Sequence, residues 1–407
     1  MSARPLRSPA LALGALALGA LAGPLAAQGK APKSGAAASD RGVFLTLLGR
    51  DTVMVERFTR SGDRLEGEVL ARSPRVRRIH FTATLAPDGR VTRYESEGRG
   101  PQPARAVVDV AGDSARIQLV MGDSTRRYAM GGTAPLVPMP GTFAWSLFEQ
   151  AIRATRGAPG APGAAGDSIP FSIVVPGGRE AMPSWVRPLR GADSVAVGFF
   201  GLPAYAVLDQ QGRLVRWNGM ATTDKVMVRR VAALDLDRLA AAWTAAEQGG
   251  HALGQLSPRD TVRATVGGAE LAIDYGRPRM RGRTIFGNVV PLDTVWRLGA
   301  NAATGFTTSK DLVVGGVPVP AGSYTLFALP RASGAKLVVS KATGEWGTDY
   351  DPARDLARID MEQRKTASPV EQFTIGILPA TAGPGGTGGV LRFAWADREW
   401  RVPFTVK

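Results

Sequence analysis

From about residue 41 onward, apolar and polar positions alternate in short runs separated by turn-forming residues, the pattern of strands with one buried face. Val53, Val55 and Phe58 belong to one run, and Leu65, Val69 and Leu70 to the next, across Ser61-Gly62-Asp63. Ile79, Phe81 and Leu85 lead into Pro87-Asp88-Gly89, after which Val91 to Tyr94 open another run. Further turn signals stand at Ala111-Gly112-Asp113, Gly122-Asp123 and Gln211-Gly212. Strands of this length at this spacing predict an antiparallel meander, either a curved sheet or a half-barrel.

Two segments change to helical spacing. In Phe143 to Arg156, Phe143, Leu147, Phe148 and Ile152 share a stripe, with Thr142 as N-cap and Gly157 just past the end. This segment reads as a lid helix over the curved sheet, followed by a loop of low complexity, GAPGAPGAAG, at 157–166. In Asp237 to Gln248, Leu239 and Trp243 share a stripe and Gly249-Gly250 closes it, so residues 235–255 read as a linker helix. The resulting expectation is an antiparallel β domain with one helix at 41–234.

Beyond Leu256 the strand pattern returns. Leu271, Ile273 and Tyr275 alternate, and Leu312 to Val319 forms a hairpin across Gly315-Gly316. Tyr324 to Leu329, Leu337 to Val339, Phe373 to Leu378 and Leu391 to Trp395 are largely apolar, and Trp400 to Val406 closes the chain. With one helical turn at Asp351 to Ile359, residues 256–407 read as a β-sandwich or jelly roll. The fold class is mainly β.

The N-terminus departs from all of this. Arg4 and Arg7 precede an apolar run from Leu11 to Leu21, and Gly23-Pro24 leads into Leu25-Ala26-Ala27. That is the layout of a signal peptide over 1–27, cleaved before Gln28. The apolar run falls short of the roughly 20 residues that span a bilayer, so no transmembrane segment is expected once the signal is removed. Residues 28–40 have a linker's composition. The expectation is export, to a periplasmic or extracellular location. The absence of cysteine argues against a lipid-anchored lipoprotein and excludes disulfides, thiol catalysis and cysteine metal sites.

The formal charge of +15 raises the question of a polyanionic partner. Only eight of the 50 basic residues are Lys, and the Arg residues are scattered rather than gathered, Arg75 to Arg78 excepted. An Ala-, Gly-, Pro- and Arg-rich chain of this kind reflects coding bias, and no nucleic-acid partner is expected.

The run SPRDTVRATVGGAELAIDYGRPRMRGRTIFGNVVPLDTVWRLGAN, Ser257 to Asn301, resembles the signature of the bacterial domain-of-unknown-function family 2911. The turn from Pro320 to Tyr324, then Trp346-Gly347, Asp351-Pro352 and the terminal VPFTV agree with it in order. The resemblance spans about 256–407 and implies an exported protein with no assigned activity. The family pattern carries an acidic residue after Trp-Arg-x-Gly-Ala-Asn, where this chain has Ala302.

Candidate chemistry concentrates in the same stretch. Arg277, Arg283, Trp296, Arg297 and Asn301 are the ligand-binding candidates: the guanidinium fork suits carboxylate or phosphate, and Trp296 offers a stacking face. The alternative is a structural network with Asp274, Asp293 or backbone carbonyls. Asp349, Asp351 and Asp355 match only part of a calcium loop, so Asp351 reads instead as a cap ahead of Pro352. His80 and His251 are the two histidines and lie far apart, which speaks against a metal triad or a histidine-dependent nucleophile. No catalytic residue, metal or cofactor is assigned.

The leading expectation is a non-catalytic binding or accessory module for a small anionic or glycan-like ligand. A second is a carrier of lipid or lipoprotein, with an apolar ligand in the N-terminal half-barrel among Phe143, Trp145, Phe148, Phe199, Phe200, Tyr205 and Trp217. A third is a glycan hydrolase that uses paired carboxylates.

Overall fold

In the computed structural model, which describes residues 39–100, 104–156, 167–190, 193–199, 201–380 and 387–407, the alternating runs are strands. The expected signal peptide, linker residues 28–38, the stretch 157–166, Phe200 and the Phe199 side chain lie outside the described residues.

The strands β1 (Asp40–Leu48), β2 (Asp51–Ser61), β3 (Arg64–Ala71), β4 (Arg77–Leu85), β5 (Val91–Arg99), β6 (Ala104–Ala111), β7 (Ser114–Met121) and β8 (Ser124–Gly131) form an antiparallel meander. The turns at 62–63, 87–89, 112–113 and 122–123 fall where the sequence places them, and Gly62 (φ 57°) and Gly112 (φ 60°) adopt the left-handed conformation that glycine tolerates. Strand β9 (Leu136–Pro138) and helix α1 (Trp145–Arg156) follow. A second meander then runs through β10 (Ile169–Val174), β11 (Met182–Pro188), β12 (Ser194–Phe199), β13 (Leu202–Leu208), β14 (Leu214–Asn218) and β15 (Met227–Val231). Because β15 pairs with β1, the two meanders merge into one fifteen-stranded sheet, ordered β8 to β1 and then β15 to β9.

This sheet curves until β9 meets β5, and α1 lies in its concavity. The helix is enclosed rather than laid across the top as a lid. Trp145, Leu147, Phe148, Ala151 and Ile152 are buried, but so are Ser146, Glu149, Gln150 and Thr155 on its other faces. The single apolar stripe could not announce this, because the polar faces are buried by pairing. Glu149 alone receives Arg60 at 3.0 Å, Arg230 at 3.0 Å, Arg153 at 3.2 Å and the Leu214 amide at 2.8 Å. Glu56 takes the N-cap role expected of Thr142, accepting from the amides of Trp145 and Ser146.

Helix α2 (Leu236–Gln248) is capped by Asp235 and packs Leu236 and Trp243 on the convex side, against Val43, Val55 and Leu70. The chain then enters β16 (Arg259–Val266) and β17 (Ala269–Gly276), and after a long irregular segment β18 (Thr304–Thr308), β19 (Leu312–Val314), β20 (Val317–Val319), β21 (Gly322–Arg331) and β22 (Gly334–Ser340). Strands β23 (Asp355–Pro379) and β24 (Gly388–Val406) complete a nine-stranded sheet ordered β16-β17-β18-β21-β22-β23-β24-β19-β20. The pairing of β23 with β24 shifts register between Lys365 and Thr374, and the sheet packs around a large apolar core, with a smaller cluster of Ala303, Phe327 and Val338 beside it. The runs Leu391 to Trp395 and Trp400 to Val406 are one strand, interrupted at Ala396 (φ 52°). Only Pro352–Arg354 of the expected helical turn is helical, since Ala357, Ile359 and Met361 alternate inward from Asp355 onward.

The sheets meet at one tight contact. Arg281 is 4% exposed and reaches Asp51 at 2.5 Å, while its carbonyl accepts the Arg50 amide at 2.9 Å. A Cβ on Gly49 (φ 62°) would come 2.1 Å from that carbonyl, so the approach requires glycine.

Candidate functional site

The irregular segment between β17 and β18 carries the whole candidate set, and the structure divides it. Arg277 is spoken for: its guanidinium binds Asp260 at 2.9 Å, Thr374 Oγ1 at 3.2 Å and the Phe373 carbonyl at 3.3 Å, tying β16 to β23. Asp274, one of the partners considered for it, pairs with Arg259 at 2.8 Å instead. Arg277 therefore makes contacts of the structural kind weighed as the alternative to ligand binding, although its acceptors are Asp260, Thr374 and Phe373.

The other four line a cleft of about 750 Å³ between the segment and the N-terminal sheet. Arg283 sits partly in the frame, donating to the carbonyls of Met280 (3.0 Å) and Arg279 (2.7 Å). Trp296 is half core and half wall. Its backbone pairs with Ala328, and its ring stacks on Trp395 with centroids 5.8 Å apart. Asn301 has φ 64° and its carbonyl accepts the Gly347 amide at 3.1 Å, which turns the chain at the cleft margin.

Arg297 differs from the other arginines. It is half-buried and lines the cleft, yet its guanidinium makes no hydrogen bond or ion pair with the described residues. Burial lowers its pKa from the ordinary arginine value, and only the field of Asp224 opposes this. Its stem passes over Gly347, where a Cβ would stand 2.1 Å from Arg297 Cδ.

Two residues that sequence reasoning missed complete the site. Asp224 and Lys225 come from the turn between β14 and β15. Thr222 stabilises that turn, its hydroxyl donating to the Gly219 carbonyl at 2.7 Å. Burial raises the Asp224 pKa, with Arg297 acting against it, and Asp224 Oδ2 is buried without a hydrogen-bond partner among the described residues. Lys225 has φ 56°, donates to the Met220 carbonyl at 2.7 Å, and is pushed down to about 8 by burial, then by Arg297 and Arg283. A turn of polar residues offers no periodicity, so nothing local in the sequence marked these two. Asp293 (φ 56°) lies on the same cleft, with Tyr350 and Phe327 among its aromatic lining.

A cleft that holds three cations, aromatic faces and two carboxylates is built from both sheets, and its C-terminal share has a relative. Residues 257–404 match the family model of DUF2911. That family is described as a protein of unknown function. The DUF2911 region supplies Arg283, Trp296, Arg297 and Asn301, whereas Asp224 and Lys225 come from the N-terminal part, for which no family matches. Two solved structures share a weak likeness with the chain. One is a DUF1089 family protein from Pseudomonas aeruginosa, 13% identical, with a TM-score of 0.30 over 42% of this chain and 91% of that one. The other is a putative AttH from Nitrosomonas europaea, 10% identical, with a TM-score of 0.12 over 90% of this chain and 92% of that one. Both scores are too low for either likeness to bear on fold or function. No curated protein matches the chain.

The remaining candidates lie apart from this cleft or at its margin. Asp351 caps the turn at Pro352, accepting from the Ala353 amide at 2.9 Å, and Asp355 accepts from Tyr350 and from Arg358, both at 2.7 Å. Among the described residues no three His, Cys, Asp or Glu gather as a metal site. His80 is exposed beside Glu66 at 3.5 Å, and His251 is exposed after α2. Of the aromatic residues expected around an apolar cavity, Trp145 lies 5.1 Å from Trp217 and 5.5 Å from Phe148, so these rings fill the space themselves. Tyr205 is 43% exposed and does not face that space.

Proposed function

We propose that the protein is an exported, non-catalytic binding or accessory module of the cell envelope, which takes a small anionic, glycan-like ligand in the cleft between its two sheets. The observation that carries this reading is Arg297: a desolvated guanidinium that faces the cleft with no acceptor from the described residues. A charge withdrawn from water and left unpaired is costly, and a carboxylate or phosphate on the ligand relieves it bidentately. Lys225 and Arg283 add to the attraction, while Asp224, biased toward its protonated form, can donate to a ligand oxygen. Trp296 and Tyr350 supply flat faces of the kind that pack on sugar rings. Export rests on the charged and apolar layout of residues 1–27.

Calorimetric titration of the mature chain with small carboxylates, sugar phosphates and acidic oligosaccharides tests the reading. Arg297→Ala is expected to weaken the best ligand about tenfold or more, the worth of one charge-assisted hydrogen bond. If Arg297→Ala binds every retained ligand as tightly as the parent, the proposal fails.

One observation favours a second reading, a carboxylate-dependent glycan hydrolase. Asp224 and Asp293 line one cleft, and burial raises the pKa of Asp224 as a general acid requires. Release of new reducing ends from polysaccharide that stops in Asp224→Asn, with binding retained, would favour this reading over the first.

A further inference from the structure

The concave face of the N-terminal sheet is not filled along its whole length. Cross-strand registry arranges β4, β5, β6 and β7 in rows across that face. Ala83, Tyr94, Val108 and Ile117 make a core row in which Tyr94 and Val108 are fully buried. The next row is Phe81, Ser96, Ala106 and Leu119, and the one after it Ile79, Gly98, Ala104 and Met121. On the two middle strands the residues thus shrink from Tyr94 and Val108 to Ser96 and Ala106, then to Gly98 and Ala104. The floor drops in step, and a groove of about 730 Å³ opens there, within the roughly 300–1,000 Å³ of small-molecule pockets. Pro140-Gly141 and Pro176-Gly177, which follow β9 and β10, form its other lip. Met121 lies in it 46% exposed, an apolar side chain without cover.

The charge at the mouth has one sign. The period of two that turns Ile79 and Phe81 into the concavity also turns Arg77 there. Arg77 is half-buried and makes no hydrogen bond or ion pair with the described residues. Its rim neighbours are engaged elsewhere: Arg75 with Glu247 at 3.5 Å, Arg78 with Asp237 at 2.5 Å and Arg99 with Glu97 at 3.7 Å. Among the described residues no acidic side chain lines the groove. We infer that this groove binds a free long-chain carboxylate, its head group on Arg77 and its acyl chain along Ile79, Leu119 and Met121. The planar guanidinium matches a carboxylate, and the small residues of the middle strands leave a channel for an unbranched chain. This site is separate from the cleft between the sheets and does not depend on the function proposed for it.

Titrating the full mature chain with octanoate, dodecanoate and hexadecanoate, against dodecanol and dodecylamine, tests the inference. Binding is expected at one site and to tighten about fourfold per added methylene until the groove is full. Dodecanol is expected to bind about tenfold more weakly than dodecanoate, and dodecylamine more weakly still. Arg77→Gln brings dodecanoate to the level of the alcohol yet keeps the dependence on chain length. Met121→Asp, at an exposed position, abolishes binding with an unchanged circular dichroism spectrum. Arg297→Ala leaves both effects in place, which separates this groove from the cleft. Affinity independent of chain length, equal binding of acid and amine, or an Arg77→Gln variant that binds as the parent does would each overturn the inference. So would binding to phospholipid vesicles with none to the free acids.

Discussion

Glu56 and Glu149 are both sealed inside the N-terminal sheet, and their surroundings treat them differently. Glu149 is held by three arginines, whereas Glu56 has backbone amides at the start of α1 and no cation. Burial raises the Glu56 pKa to about 7, against the hydrogen bonds from Ser146 and Trp145 that favour its charge. A carboxyl whose folded pKa exceeds its unfolded value stabilises the fold fully below about 4.5, and that stability is lost as pH rises through 7. The loss amounts to about 3 kcal/mol. Glu56→Gln should therefore flatten stability between these limits, seen as a smaller difference between urea midpoints at acid and neutral pH; parallel pH profiles would contradict it. A second prediction concerns Gly347, which makes room for the stem of Arg297. Gly347→Ala places a methyl 2.1 Å from Arg297 Cδ and 2.5 Å from the Asn301 carbonyl oxygen. It should weaken ligand binding in the cleft about as much as Arg297→Ala while leaving the charge in place, as read by calorimetry. Arg277 and Arg297 also show where sequence reading stops. Both are arginines of one segment, but Thr374, which engages Arg277, lies 97 residues along the chain. Which guanidinium is paired depends on contacts that no local pattern encodes.

At the level of elements, alternation and turn residues made most strands legible, because a strand with one buried face writes its period into the sequence. Both helices were legible in extent for the same reason, but the placement of α1 was not. A stripe reports one apolar face and is silent about polar faces that an ion network buries. The interruption within β24 is a second case: Ala396 turns to positive φ without a glycine or proline to mark it. Helix α2 offers a quantitative check. Asp235 accepts from the Arg238 amide at 3.0 Å, and Asp235→Ala should cost about 1 kcal/mol in urea denaturation. Asp235→Ser, which keeps an acceptor, should recover most of it.

At the level of the whole molecule, the cleft exists because two sheets from distant parts of the chain are held against each other. The contact among Gly49, Asp51 and Arg281 maintains this arrangement, and the pair responds unequally to its two single substitutions. Asp51→Ala leaves a buried guanidinium uncompensated, at roughly 3–5 kcal/mol. Arg281→Met should cost less, since it also removes Nε and Nη2, which are buried without partners among the described residues. Equal losses for the two in denaturant titrations would mean the pair is not the contact that matters. The pairing of β1 with β15 has a further consequence, in time rather than in space. Asp40 and Arg230, which meet at that seam, are 190 residues apart. While the chain is being made, β1 has β2 on one side and a bare edge on the other until Met227 to Val231 emerge. Non-local pairing of this kind makes folding slow, and an unpaired strand edge is a template for association with other chains. For this protein, the vulnerable period is the interval between synthesis of its first strand and arrival of the strand that covers it.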